Sequence, residues 1–304
     1  MDMESYADNA TETTHLIHVL EERMQHLIEK GDLKEARNAA NTAVARARSV
    51  AESDQTQEIE LAKALELRAD FLRTTGDLDE SERDYDEALT LLEQKTGVER
   101  EQGKVCAGLA VVHELNESLH EARTYYERAI GCFSVMNPVA RLDIADMKNN
   151  LAFIYEADGD YDTAETLLLE SLRITHEDLG LNTEEAGTIC NNLGGLYFKS
   201  GVLEQAREMH SMALDARIEV LGKDDPDTAQ SHANLALVQA SLGDHAMAMN
   251  SFREALRIYE GRLGTNARDY QTVAANFTDY LRNHGSEKEA AALEKRSLKN
   301  LRKA

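Results

Sequence analysis

Proline, cysteine and tryptophan are scarce in this chain. It holds two prolines, three cysteines and no tryptophan in 304 residues, while hydrophobic residues make up 42%. A sheet protein of this length needs more turn residues, so the composition favours long helices with few interruptions. The cysteines, Cys106, Cys132 and Cys190, are odd in number and lack a CxxC spacing, which argues against a disulfide framework and a zinc site. We therefore expect an all-α protein without metal or other cofactor.

Positive charge is also in short supply. The chain has 33 Lys and Arg against 56 Asp and Glu, a formal net charge of −23, which repels nucleic-acid phosphates and anionic lipids. The N-terminus is acidic where a signal peptide is basic, and no apolar run approaches the ~18 residues of a membrane span. These features predict a cytoplasmic protein that binds neither nucleic acid nor membrane. They favour a protein or peptide partner of basic or polar character.

One turn motif recurs along the chain. It reads KGDLKEA, TGDLDES, NESLHEA, DGDYDTA, SGVLEQA, LGDHAMA and HGSEKEA. Its turn position falls at Gly31, Gly76, Glu117, Gly159, Gly201, Gly243 and Gly285, with spacings of 45, 41, 42, 42, 42 and 42 residues. Repeats of this length indicate a stacked array without a single central core.

Each motif is expected to join two helices, which we name A before the turn and B after it. Five residues after the turn position stands a small residue, namely Ala36, Ser81, Ala122, Ala164, Ala206, Ala248 and Ala290. A small side chain lets two helix backbones approach closely, and glycine supplies a turn conformation that other residues resist. The motif therefore predicts a tight helical hairpin in every repeat.

The joins between repeats carry signals of their own. Pro138 and Pro226 each follow an Asn or Asp and are expected at the first position of an A helix, where proline loses no needed donor. Glycines that follow leucine are expected to end B helices in a left-handed turn; they are Gly180, Gly222 and Gly264.

The segment NNLAFIYEADGDYDTAETLLLESLRITHEDLG, followed by NNLGGLYFKSGVLEQA, resembles the long tetratricopeptide repeats of the kinesin light chain family. The resemblance is strongest over residues 145–290. It implies a right-handed superhelical α-solenoid of about seven helix-turn-helix repeats, with the A helices on its inner wall. HEAT and armadillo arrays have similar periods and are the structural alternative.

The same reasoning predicts the domain organisation. Residues 1–15 are expected to be disordered or frayed, and residues 16–304 to form a single array. Within it we expect degenerate capping repeats at 16–58 and 59–98, regular repeats at about 100–287 and a basic capping helix at 286–304.

In the resembled family, the position nine residues before the turn glycine faces the groove and grips the backbone of an extended peptide. Asn150, Asn192, Asn234 and Asn276 occupy it at intervals of 42 residues. A side-chain amide both donates and accepts, so it can bind peptide groups whatever the side chains of the ligand. Six further groove candidates accompany them, namely Asp146, Asn149, Phe153, Asn191, Lys199 and Arg282. The alternative is that the asparagines bond to an adjacent repeat and hold the stack.

No catalytic constellation is visible. The chain lacks a glycine-rich phosphate loop, an HExxH motif and a GxSxG motif. His15, His18 and His26 share a helix face but no further ligand accompanies them, so no metal site is expected. The sequence thus predicts a non-enzymatic scaffold or adaptor that binds a peptide or partner-protein segment in its concave groove. A peptide-signal receptor and a self-assembling homo-oligomer are the alternatives.

Overall fold

The computed structural model describes residues 18–302, and within this range the chain is helical with no strand. In chain order, the hairpins pair α1 (residues 18–29) with α2 (Leu33–Ala51), α3 (Glu58–Thr75) with α4 (Leu78–Leu92), α5 (Glu99–Leu115) with α6 (Leu119–Ser134), α7 (Arg141–Ala157) with α8 (Tyr161–Asp178), α9 (Glu184–Lys199) with α10 (Leu203–Val220), α11 (Pro226–Leu242) with α12 (His245–Glu260), and α13 (Leu263–Asn283) with α14 (Glu287–Leu301). A short 3-10 helix, Gln55–Gln57, precedes α3. These described hairpins confirm the all-α class and the seven helix-turn-helix repeats. The expectations for residues 1–15, and for His15 as a metal ligand, lie outside the described residues.

The turn motif forms the hairpins as predicted. The turn residue has a positive φ in every repeat, from 60° at Glu117 to 88° at Gly76. This left-handed conformation costs a residue with a side chain ~1–2 kcal/mol, which explains the preference for glycine at this position. The small residue five positions later is 0% exposed in every repeat, from Ala36 to Ala290. The two helices of each hairpin therefore cross at that residue.

One of the two proline predictions is confirmed and the other is wrong. Pro226 is the first residue of α11, and the Asp225 side chain caps that helix by accepting from the Asp227 amide at 2.9 Å. Pro138 follows a cis peptide bond, and α7 begins only at Arg141. The Ala140 amide still donates to the Phe133 carbonyl at 3.3 Å, so the chain is completing the turn after α6 when it passes Pro138.

Of the three predictions for leucine-glycine pairs, two are confirmed and one is wrong. Gly180 and Gly222 follow α8 and α10 with φ of 93° and 92°, as predicted for left-handed helix ends. Gly264 instead lies in the first turn of α13. The preceding helix, α12, ends at Glu260, and its C-cap residue is Gly261 with a φ of −72°. The helix therefore ends before the Leu263-Gly264 pair.

The chain divides into two compact units, Met1–Leu151 and Ala152–Ala304. In the first unit, large side chains such as Tyr85, Tyr126 and Phe133 are almost fully buried between the helices of the hairpins. In the second unit, Phe252 and Phe277 stack with ring centroids 4.9 Å apart. Each unit therefore has its own core, built where hairpins pack side by side. A single array over 16–304 with degenerate capping repeats stays a prediction.

Helix length and polarity bear on the predicted absence of a membrane span. Among the described helices, none is both long and apolar enough to cross a bilayer.

Candidate functional site

The A helices of the first unit enclose a charged cleft of about 410 Å³, within the ~300–1,000 Å³ range of ligand sites. We name it the A-helix cleft. Helix α1 contributes His18 and Glu21, α3 contributes Glu60, Lys63, Glu66, Leu67 and Asp70, and α5 contributes Arg100, Glu101 and Lys104. The lining thus holds five acidic and three basic side chains. Carboxylates are in excess.

Helical periodicity explains why these residues share a wall. Glu60, Lys63, Leu67 and Asp70 are spaced by three, four and three residues, which places them on one face of α3. Leu67 stands nine residues before its turn glycine, at the position of the asparagine in the regular repeats. The cleft therefore includes the register position that asparagine occupies in later repeats, but no sequence pattern distinguishes its acidic residues from other surface acids.

Ion pairs cross the cleft between neighbouring A helices. The Lys63 ammonium lies 3.1 Å from Glu60 on its own helix and 3.9 Å from Glu101 on α5. The Arg100 guanidinium lies 3.5 Å from the Asp143 carboxylate on α7. Glu60 and Glu101 keep only 16% and 25% of their side-chain surface exposed. Because each of these cations is exposed by more than a third, the pairs themselves stabilise the fold little.

Glu66 is the most perturbed acid of the A-helix cleft. Its side chain is 16% exposed and its nearest cation, the Lys104 ammonium, is 3.9 Å away. Burial raises the pKa of Glu66 to about 7; Lys104 opposes this shift, while Asp70, Glu101 and Glu21 add to it. Near neutral pH the carboxyl is therefore partly protonated. A further cation placed beside it would favour the charged form.

The structure places the asparagines of the predicted groove in half-buried positions. Asn234 on α11 donates to the Asn191 Oδ1 on α9 at 2.8 Å, which joins two consecutive repeats. Asn149 donates to its neighbour Asn150 at 3.2 Å, and Asn150 also lies within hydrogen-bonding reach of the Tyr126 hydroxyl. Contacts between repeats therefore exist at Asn234 and Asn150, as the stack-holding alternative requires.

Two charged candidates of the groove, Lys199 and Arg282, are paired within the second unit. Lys199 on α9 forms an ion pair with Glu156 on α7. Arg282 on α13 contacts Glu294 of the same hairpin at 2.7 Å. Phe153, in contrast, is 51% exposed. Of the ten predicted site residues, Asp146, Asn149 and Asn150 belong to the first unit and the other seven to the second.

The described residues contain no group of three or more His, Cys, Asp or Glu side chains arranged to hold a metal ion. One pair that the sequence reading missed is Cys106 and Cys132, which interact across the hairpin of repeat three. The sequence holds no signal for this pair, because the contact depends on the register in which α5 packs against α6.

The chain matches known repeat proteins. The family model described as tetratricopeptide repeat matches residues 143–201 and 184–261. The Clustered mitochondria protein homolog of Emericella nidulans is 27% identical over 110 residues, which are 36% of this chain and 9% of that protein. The Tonsoku-like protein of Mus musculus is 30% identical over 95 residues, 31% of this chain and 7% of that protein. The chain thus spans less than a tenth of the length of these curated relatives.

Solved structures extend the similarity to most of the chain. BtubC (BKLC) from P. vanneervenii superposes with a TM-score of 0.67 and 27% identity, covering 76% of this chain and 92% of that one. A putative kinesin light chain from Podosopora anserina with nearly identical TPR-like repeats gives a TM-score of 0.55 at 16% identity, covering 66% and 96%. A Rap protein complexed with Competence and Sporulation Factor gives 0.61 at 17% identity, covering 95% and 75%. The latter two share the fold.

Proposed function

We propose that this chain, whose residues 143–201 and 184–261 match the tetratricopeptide repeat model, is a non-catalytic scaffold that binds a basic peptide or protein segment on its A helices. Arrays of such repeats present extended surfaces suited to a long ligand. The Rap protein of the same fold is complexed with Competence and Sporulation Factor, which supports a partner-binding role for a repeat array of this kind.

The observation that carries this proposal is the A-helix cleft. It offers an open volume of about 410 Å³ whose acidic side chains outnumber the basic ones. The whole chain adds a net charge of −23, which accelerates encounter with a positively charged partner. An acidic or phosphorylated segment meets repulsion at both levels.

Glu66 gives the cleft its selectivity for a cation. A lysine or arginine side chain that reaches Glu66 compensates the buried carboxylate more closely than Lys104 does at 3.9 Å. A hydrogen bond to a charged group contributes ~1.5–3 kcal/mol, and desolvation inside the cleft strengthens it. Since Glu66 has a pKa of about 7, binding of the cation at neutral pH should release part of a proton.

The amides of the second unit are proposed to hold the backbone of a ligand. Asn234 gives one amide hydrogen to Asn191, which leaves its second hydrogen and its oxygen able to bond. Asn192 and Asn276 occupy the same register position. In this proposal an asparagine can join two repeats and still contact a peptide.

The experiment is selection from a random peptide library displayed on phage, followed by fluorescence anisotropy with the enriched peptides. We expect enrichment of lysine and arginine. The Glu66→Gln and Glu101→Gln double variant should bind these peptides about tenfold more weakly, the effect of losing ~1.4 kcal/mol. The binding enthalpy, measured by calorimetry in buffers of different ionisation enthalpy, should report the proton released by Glu66.

A matched control separates the cleft from general charge attraction. Glu185 and Glu219 are exposed acids of the second unit, and changing both to glutamine removes at least as much negative charge at neutral pH, because Glu66 is partly protonated there. This control should bind as the wild-type chain does. Equal weakening by the two double variants would remove the cleft from the proposal, and a library that yields no binder of any charge would refute the scaffold function.

A further inference from the structure

The hairpin of repeat three brings two thiols together. Cys106 lies on α5 and Cys132 on α6, and both are free. The Cys106 and Cys132 thiols lie within hydrogen-bonding reach of each other. At the same level the two helices approach closely, because a β-carbon on Gly103 would lie only 2.5 Å from the Phe133 ring. The thiols therefore face each other across a tight helix contact.

The two thiols differ in access and in acidity. Cys106 is 0% exposed, whereas Cys132 is half-buried. A hydrogen bond with Cys106 lowers the pKa of Cys132, burial opposes the shift, and the charge of Arg128 assists it. The same hydrogen bond, together with burial, raises the pKa of Cys106. Because the thiolate is the reactive form, the reachable sulfur is also the more nucleophilic one.

Repeat five provides an internal comparison. Cys190 stands eleven residues before its turn glycine, as Cys106 stands eleven before Glu117. The position equivalent to Cys132 in repeat five is Ala216. Burial raises the pKa of Cys190 to about 11. Repeat five thus has the buried thiol without its reactive neighbour.

We propose that Cys106 and Cys132 are a peroxide-oxidisable pair, in which Cys132 reacts first and Cys106 closes a disulfide across the hairpin. The Cys132 thiolate attacks one oxygen of hydrogen peroxide, the O–O bond breaks, and the leaving hydroxide takes up the proton that the thiol had released. Cys132 is then a sulfenic acid and one water has formed. The Cys106 sulfur attacks the Cys132 sulfur, its proton goes to the departing hydroxide, and a second water leaves. Both sulfurs are oxidised at the expense of one peroxide.

The disulfide would link α5 covalently to α6 and close a loop of 25 intervening residues. Cross-linking restricts the unfolded chain, so the oxidised protein should melt at a higher temperature than the reduced one. Helix α5 also carries Arg100, Glu101 and Lys104 of the A-helix cleft. Oxidation would thus fix one wall of that cleft to its own B helix, although the pair does not depend on any ligand of the cleft.

The test exposes the reduced full chain to hydrogen peroxide, alkylates the remaining thiols in denaturant and maps the peptides by mass spectrometry. We expect a peptide cross-linked between Cys106 and Cys132, an alkylated Cys190, and full recovery of the three thiols with dithiothreitol. Oxidation of Cys190 as fast as Cys132, or disulfides that join separate chains in place of the internal one, would overturn the proposal.

Three variants assign the roles. Cys106→Ala, checked for unchanged helicity, should stop at a sulfenic acid on Cys132 that dimedone traps. Cys132→Ser should leave both remaining thiols reduced, and Cys190→Ser should behave as the wild-type chain does. If Cys106 still oxidises in the Cys132→Ser variant, or dimedone labels nothing in Cys106→Ala, Cys132 is not the attacking thiol.

Discussion

Exchanging Gly194 for alanine should destabilise the protein, whereas the same exchange at Gly195 should stabilise it. A β-carbon on Gly194 would lie 2.6 Å from Nδ1 of His210 and 2.7 Å from two of its ring carbons. His210 is 2% exposed, so its ring has no free space to occupy. Gly195 is the next residue of α9, and a β-carbon there meets no atom within 4 Å.

The expected magnitudes follow from packing and from helix propensity. Overpacking costs ~1–3 kcal/mol, and alanine returns ~0.5–1 kcal/mol of helix stability. Gly194→Ala should therefore lose about 1–2 kcal/mol of unfolding free energy, and Gly195→Ala should gain about 0.5–1 kcal/mol. At ~2–4 °C per kcal/mol, the two variants should melt on opposite sides of the wild-type protein.

Urea unfolding followed by circular dichroism measures both variants, with equal m-values as the check that one transition is compared. A double-mutant cycle isolates the contact, because His210→Ala removes the ring that alanine at 194 strikes. In that background Gly194→Ala should become neutral or stabilising, a coupling of ~0.5–3 kcal/mol. If Gly194→Ala and Gly195→Ala change the free energy of unfolding equally, or if the cycle shows no coupling, the steric explanation is wrong.

Three further predictions concern titration and backbone strain. Burial lowers the pKa of His210 from 6.5 to about 4, so the unfolded chain binds the proton at a higher pH than the folded protein does. The free energy of unfolding should therefore fall by up to ~3 kcal/mol as the pH drops from 6.5 to 4. Urea unfolding of the His210→Gln variant should not show this loss. Burial raises the pKa of Glu66 from 4.5 to about 7. The stability that the protonated Glu66 contributes below pH 4.5 should therefore be lost as the pH rises through 7. The Glu66→Gln variant should have a higher Tm than the wild-type protein at pH 7.5 and nearly the same Tm at pH 4. Glu117 adopts a φ of 60°, so Glu117→Gly should gain ~1 kcal/mol and Gly201→Ala should lose about as much; the same sign for both in urea unfolding would contradict this.

The hairpins could be predicted from the sequence because their signals are local. A residue that needs positive φ and a small residue five positions later, such as Gly159 and Ala164, specify the turn and the crossing within one motif. The helix ends were less certain for a physical reason. An Asn-Pro pair is typical both of a helix start and of a turn, and Pro138 takes the turn. A Leu-Gly pair ends a helix only where the helix has reached it, which Gly264 shows.

The partners of the candidate site residues could not be predicted, because they come from neighbouring repeats. Asn191 and Asn234 are 43 residues apart, and the sequence shows each as a groove candidate without showing that they bond to one another. Glu66 belongs to an ordinary run of charges on α3, and its raised pKa depends on burial in the cleft. The pairing of Cys106 with Cys132 depends on the antiparallel register of α5 and α6, which composition and motif spacing do not report.

Full burial of the crossing residue in every hairpin, from Ala36 to Ala290, means that each repeat supplies its own hairpin contact. The helices of a hairpin cross at a side chain that the same repeat supplies, and the last four turn glycines recur every 42 residues. Gene duplication or deletion of one repeat therefore keeps every hairpin contact intact, while contacts between repeats, such as the Asn234–Asn191 hydrogen bond, have to form again at the new boundary. A lineage can lengthen or shorten the array in whole repeats, and a copy of a repeat such as the one that holds Asn192 arrives with its asparagine already in register.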